Sequence, residues 1–404
     1  MPAATQSPID SPAAWRRLFV SLAACSVGCA GYWSYVVVLP AVQADFGVTR
    51  AQASLPYTLV MLGFAFGGVA MGKLSDRHGV FAPLVGGAAL MALAFCLLGL
   101  SGGIVTFALA QGLLGFGASA SFSPLMSDIS HWFERRRGLA VTIVSAGNFV
   151  AGALWPPIIQ PVVEAVGWRA AHFGLAAMCL GLLLPLAFLL RAPPPEAAAA
   201  KQTAKSLQGS IALQPGLLLI LICIAGFACC VAMSMPQVHL VAYCADLGYG
   251  PAQGARMLSI MLALGVASRI ISGVIADRLG GLVTLLIGSS AQGLALLLYM
   301  FFDSLASLYV ISALFGFFQG GIIPMYAIMV REYFPAGKAG GHIGLIVMAT
   351  LLGMAAGGGL SGMIFDWTGS YRAAFFNGLL WNLLNLAVVA ALLWRRRPAA
   401  MALA

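Results

Sequence analysis

About twelve apolar runs, each close to the roughly 20 residues that cross a bilayer as a helix, divide this chain and decide what it can fold into. They lie near 18–40, 52–72, 80–100, 103–126, 139–163, 168–190, 216–243, 253–276, 281–302, 304–330, 341–364 and 370–394. Hydrocarbon offers no water to backbone N–H and C=O groups, so each run must satisfy its own, as a helix does. Charged residues are 8% of the 404 and hydrophobic ones 61%, whereas a soluble surface needs about a quarter charged. The expected fold is an all-α membrane protein of twelve transmembrane helices, with the lipid bilayer as its solvent.

The net charge of +9 follows from topology and not from a nucleic-acid partner. Counted over alternate loops, sixteen Lys and Arg fall on one side, including Arg16, Arg17, Lys73, Arg77, Arg135, Arg136 and Arg137. The other side holds Arg50, Arg169, Arg256 and Arg372, and Arg269 lies inside a run. The excess of positive charge predicts both termini in the cytoplasm. The eight cysteines lie within or at the ends of apolar runs without a Cys-x-x-Cys pair or a histidine cluster. They read as small packing residues, so no metal or other cofactor is expected. Arg16-Arg17 ahead of Leu22-Ala-Ala-Cys25 imitates a lipoprotein signal.

An internal repeat argues that this first segment stays. Asp45-Phe46-Gly47 matches Asp246-Leu247-Gly248, and Gly72-Lys-Leu-Ser-Asp76-Arg77-His-Gly79 matches Gly273-Val-Ile-Ala-Asp277-Arg278-Leu-Gly280. Pro124 matches Pro324, His131-Trp-Phe133 matches Glu332-Tyr-Phe334, and Trp168-Arg169 matches Tyr371-Arg372, at offsets of 200–203. The expected organisation is a tail (1–17), a six-helix half (18–190), a linker (191–215), a second half (216–394) and a tail (395–404). Two halves in parallel orientation imply a cavity between them.

Twelve helices, a duplication and Gly-x-x-x-Asp-Arg-x-Gly after helices two and eight resemble the major facilitator superfamily over nearly the whole chain. The resemblance implies that Gly72, Asp76, Arg77, Gly79, Gly273, Asp277 and Arg278 serve conformational switching, each aspartate capping the next helix or pairing across its half. It implies also that Asp128, at the end of helix four, joins that network. His78-Gly79-Val80-Phe81 lacks the basic residues usual after the second glycine.

Substrate information must come from polar groups inside the membrane. All twelve acids fall in loops or at helix ends, while Arg269 sits mid-run between Gly265 and Gly273. Burying a guanidinium in lipid costs at least ~3 kcal/mol, so it should face water, an anion or a distant backbone carbonyl. The remaining inventory includes His239, Ser119, Ser121, Ser123, Asn148, Gln319, Tyr32, Tyr35, Tyr326, Asn377, Asn382 and Asn385. A net-positive site with hydroxyls and amides suits a small organic anion.

Ala267-Ser-Arg269-Ile-Ile-Ser-Gly273, with Trp132-Phe-Glu-Arg-Arg-Arg-Gly-Leu-Ala140, is similar to the monocarboxylate transporter family and its oxalate:formate antiporter neighbours. The resemblance implies that Arg269 pairs with a substrate carboxylate. It sets Ser121 and Ser123 against the substrate, and Tyr32 lining the cavity, in a bacterial inner membrane. Three departures matter. Helix one lacks a lysine around Val36, Gly265 stands where animal members have an aspartate, and 343–364 contains no second cation. The last argues against a dicarboxylate. A small carboxylate and H⁺ are the expected partners, with no obligate protein partner. His239 is then the candidate proton carrier, unless it merely bonds a neighbour or lines the cavity. The alternatives are a proton-coupled exporter of drugs or other solutes and, less favoured, a non-transporting carboxylate receptor. No nucleophile–base pair or metal cluster suggests an enzyme.

Overall fold

A computed structural model of the protein describes residues 9–193, 211, 213–335 and 339–396. Most of the expected linker (191–215) and parts of both tails lie outside these residues. The membrane-length helices are α1 (Pro12–Phe46), α2 (Arg50–His78), α3 (Phe81–Gly99) and α4 (Ile104–Ser130). Next comes Gly138–Leu189, 52 residues long, or ~78 Å at the α-helical rise, too much for one crossing. It breaks at Gly167 (φ 80°, ψ 161°), giving α5 (138–166) and α6 (168–189). Then follow α7 (Pro215–Asp246), α8 (Pro251–Leu279), α9 (Gly281–Phe301), α10 (Leu305–Tyr333), α11 (Gly341–Thr368) and α12 (Tyr371–Trp394). Eleven apolar stretches among the described residues therefore make twelve crossings. Large apolar side chains such as Leu100, Leu189, Phe301 and Trp367 are 66–77% exposed, as a surface solvated by lipid requires.

The duplication is written into the backbone. Positive φ recurs at Gly47 and Gly248, at Gly79 and Gly280, and at Gly167 and Gly369. Helices α4 and α10 break alike, just ahead of Pro124 and Pro324, where a turn over Ser119–Ser121 and the Gly320-Gly321 step interrupt them.

The chain divides into two compact units. One comprises Met1–Tyr35 with Leu62–Lys201, the other Val36–Met61 with Gln202–Ala404. Residues 36–61, the adjoining ends of α1 and α2, group with the C-terminal helices. In the first unit, Arg17 at the start of α1 binds Asp128 at the end of α4 through Nε (2.7 Å) and Nη2 (2.8 Å). Nη2 also donates to the Leu190 carbonyl at the end of α6 (3.0 Å), and the guanidinium lies 4.6 Å from the Trp132 ring. Three helix ends thus meet on one buried ion pair. In the second unit, α8 and α10 are in backbone contact: a Cβ on Gly320 would lie 2.6 Å from Gly265 Cα.

Candidate functional site

Arg269 is 6% exposed in the interior of α8. Its Nε donates to the Gly320 carbonyl at 3.2 Å. That acceptor exists because Pro324, four residues on, has no N–H to close the helical bond to it. The glycines at 316, 320 and 321 bring α10 within reach, and Gly321 N donates to Ser268 Oγ at 3.1 Å. The guanidinium is held by a helix defect encoded 55 residues further along the chain.

Gln319, beside that carbonyl, is fully buried and accepts from Gln237 Nε2 of α7 at 3.0 Å. Its own Nε2 is buried without a hydrogen-bond partner. Arg269, Gln319 and Gln237 therefore gather at one break in α10. Gln237 is absent from the polar inventory read from the sequence; its partner on α10 lies 82 residues away.

His239 belongs to another cluster. It is fully buried, with Nε2 2.9 Å from the Gly358 carbonyl and Nδ1 3.4 Å from Tyr371 Oη. A neutral ring donating from Nε2 and accepting at Nδ1 satisfies both contacts.

In the first unit, Ser121 is buried in the α4 break, and a Cβ on Gly28 of α1 would collide with its hydroxyl. Ser123 opens the following helical segment, its Oγ 3.5 Å from where a Gly68 Cβ would stand. Tyr32 is buried, its ring 4.4 Å edge-on from that of Trp33, whose indole N–H donates to the Asn148 carbonyl (2.9 Å).

The residues expected to switch occupy helix ends, not loops. Helix α2 runs to His78 and α8 to Leu279, so Asp76, Arg77, Asp277 and Arg278 sit exposed on last helical turns. Gly79 and Gly280 terminate them at positive φ, each donating its N–H four residues back (2.8 Å). Gly72 and Gly273 are half-buried one turn earlier. The start of α9 is capped by Glu332, whose carboxylate accepts from Gly281 N at 3.0 and 3.2 Å. Asp128 is bound to Arg17, a partner that sequence did not supply.

Comparison with known proteins fits this architecture. The family model described as Major Facilitator Superfamily matches residues 20–311 and 284–404. A bovine (Bos taurus) protein named monocarboxylate transporter 13 is 28% identical over 374 residues, covering 85% of this chain and 86% of its own. An agnestins efflux protein of Paecilomyces divaricatus is 26% identical, covering 76% and 70%. Among solved structures, a bacterial homolog of the human lysosomal transporter Spinster, in an inward-facing and occupied conformation, superposes with a TM-score of 0.68. It is 14% identical and covers 96% of both chains. Twelve crossings, a backbone-level duplication and these matches lead to one conclusion: the chain is a membrane transporter that belongs to the Major Facilitator Superfamily.

Proposed function

We propose that the protein moves a small monocarboxylate by alternating access, with Arg269 binding the carboxylate, a proton as the coupling ion and both termini in the cytoplasm of a bacterial cell. The observation that carries this is Arg269, buried mid-helix and oriented through Nε beside a neutral amide with an unused donor. Bidentate carboxylate recognition needs two parallel N–H groups, which the terminal nitrogens of a guanidinium supply. Relatives named monocarboxylate transporters, matched over 86% and 85% of their own lengths, support the same substrate class. Export of a larger solute is the second reading, favoured by the fungal efflux relative.

Counterflow in proteoliposomes with radiolabelled lactate, pyruvate, acetate, formate and branched 2-oxo acids tests the proposal and separates transport from sensing. Arg269→Lys keeps the charge but loses the planar fork, so uptake should fall by about tenfold or more at unchanged membrane insertion. Near-normal uptake by Arg269→Ala would end this reading. For the proton, uptake should rise as external pH falls, and His239→Gln should flatten that rise. Identical pH profiles in both proteins would move coupling to a substrate-borne proton or to anion exchange.

A further inference from the structure

The start of α2 is tied down more heavily than a helix end needs. Thr49 and Gln52 cap each other, Gln52 N donating to Thr49 Oγ1 (3.3 Å) and Thr49 N to Gln52 Oε1 (3.1 Å). In addition, Asp366 at the end of α11 accepts from Arg50 N (2.8 Å) and Ala51 N (2.7 Å), a carboxylate on the positive end of the helix dipole. The Arg50 side chain donates through Nη2 to both oxygens of Asp246, at the end of α7 (3.1 and 2.9 Å). Its guanidinium lies 5.0 Å from the Phe365 ring and 5.8 Å from that of Tyr371. Yet Arg50 is 6% exposed and its Nε and Nη1 have no hydrogen-bond partner. A permanent anchor would satisfy those donors, because leaving them dry is costly. A contact made and broken in each cycle is better served by incomplete satisfaction.

Below this cluster α2 and α11 touch backbone to backbone. A Cβ on Gly362 would lie 2.8 Å from the Arg50 carbonyl oxygen, and one on Gly358 2.6 Å from the Tyr57 ring. Thr58 Oγ1 donates to the Ala355 carbonyl at 3.0 Å. The part of α2 that carries this contact, 50–61, groups with the C-terminal unit, while 62–78 of the same continuous helix groups with the other. If one unit rocks against the other, α2 must either bend or release its hold on α7 and α11. Of the residues near 62 that could bend the helix, Pro56 lies within the segment held by α11, beside Tyr57 and Thr58, and Gly63 is packed on the Gly112 backbone.

We propose that Arg50, Asp246 and Asp366, with the Gly358–Gly362 seam beneath them, form the gate on the side opposite the Asp-Arg turns. Releasing it is the step that admits solute from that side. The proposal rests on the transport reading only for its purpose, because gate opening can be measured without any substrate. Tyr57, fully buried against Gly358, reports on the gate as Tyr57→Cys in the full-length protein. Vesicles are treated with a membrane-impermeant maleimide on either face, and labelling is read above the background of the eight native cysteines. Adding Asp246→Asn or Arg50→Gln should speed labelling from the face opposite the Asp-Arg turns about tenfold, equivalent to ~1.4 kcal/mol in the gate equilibrium. Arg50→Lys should speed it less, and Gly362→Leu, which wedges the seam without touching a charge, should speed it as well. Unchanged labelling in Asp246→Asn and Gly362→Leu, or a rise from the Asp-Arg face alone, overturns the gate. Normal gating with no carboxylate counterflow overturns only the substrate reading.

Discussion

Pro324 removes one N–H from α10, and the carbonyl it frees at Gly320 is the one that Arg269 takes. Two costs, an orphan acceptor and a buried cation, offset each other in one contact, so neither residue can be understood alone. Restoring the donor should divorce them. Pro324→Ala lets α10 close its own bond to Gly320, so the thermal midpoint in detergent should hold or rise. Uptake should fall all the same, because the guanidinium loses the contact that aims it. A variant with unchanged uptake would show that this orientation is irrelevant to transport.

At the scale of elements, charges at helix ends act as ties between helices. Arg17 and Asp128 are 95% or more buried in their side chains and join α1, α4 and the end of α6. Removing one partner of a buried pair strands the other charge, at a cost of about 3 kcal/mol. Asp128→Ala should therefore lower the thermal midpoint of the whole protein by several degrees. The exposed Arg372–Asp303 pair, at 3.5 Å, should be almost silent to Asp303→Ala in the same melting measurement. Comparable losses for both would mean that burial does not set the worth of these ties.

For the molecule as a whole, the two matching Asp-Arg turns lie at corresponding helix ends of the two repeats and away from the interior residues of α8 and α10. Their exposure fits surfaces whose contacts change as a transporter switches. Asp76→Asn and Asp277→Asn should slow transport several-fold while calorimetric affinity for the substrate stays within about twofold. A large loss of affinity in both would assign them to binding instead.

The membrane fold was legible in the residues because lipid makes hydropathy decisive: a run of apolar side chains must become a helix, and repeated glycines and prolines mark where each helix stops or breaks. The duplication and the depth of Arg269 could both be read this way. Which charges meet could not. Arg17 and Asp128 are 111 residues apart, Arg50 and Asp246 are 196, and Arg269 and Gly320 are 51. Each pairing depends on how helices rotate about their axes and which ends converge. Small-residue seams, such as Gly265 on Gly320 or Gly362 on Arg50, decide that by close packing. Hydropathy scores a residue's depth in the bilayer and is blind to the neighbour it faces, so the partners of the buried charges exist only in the tertiary structure.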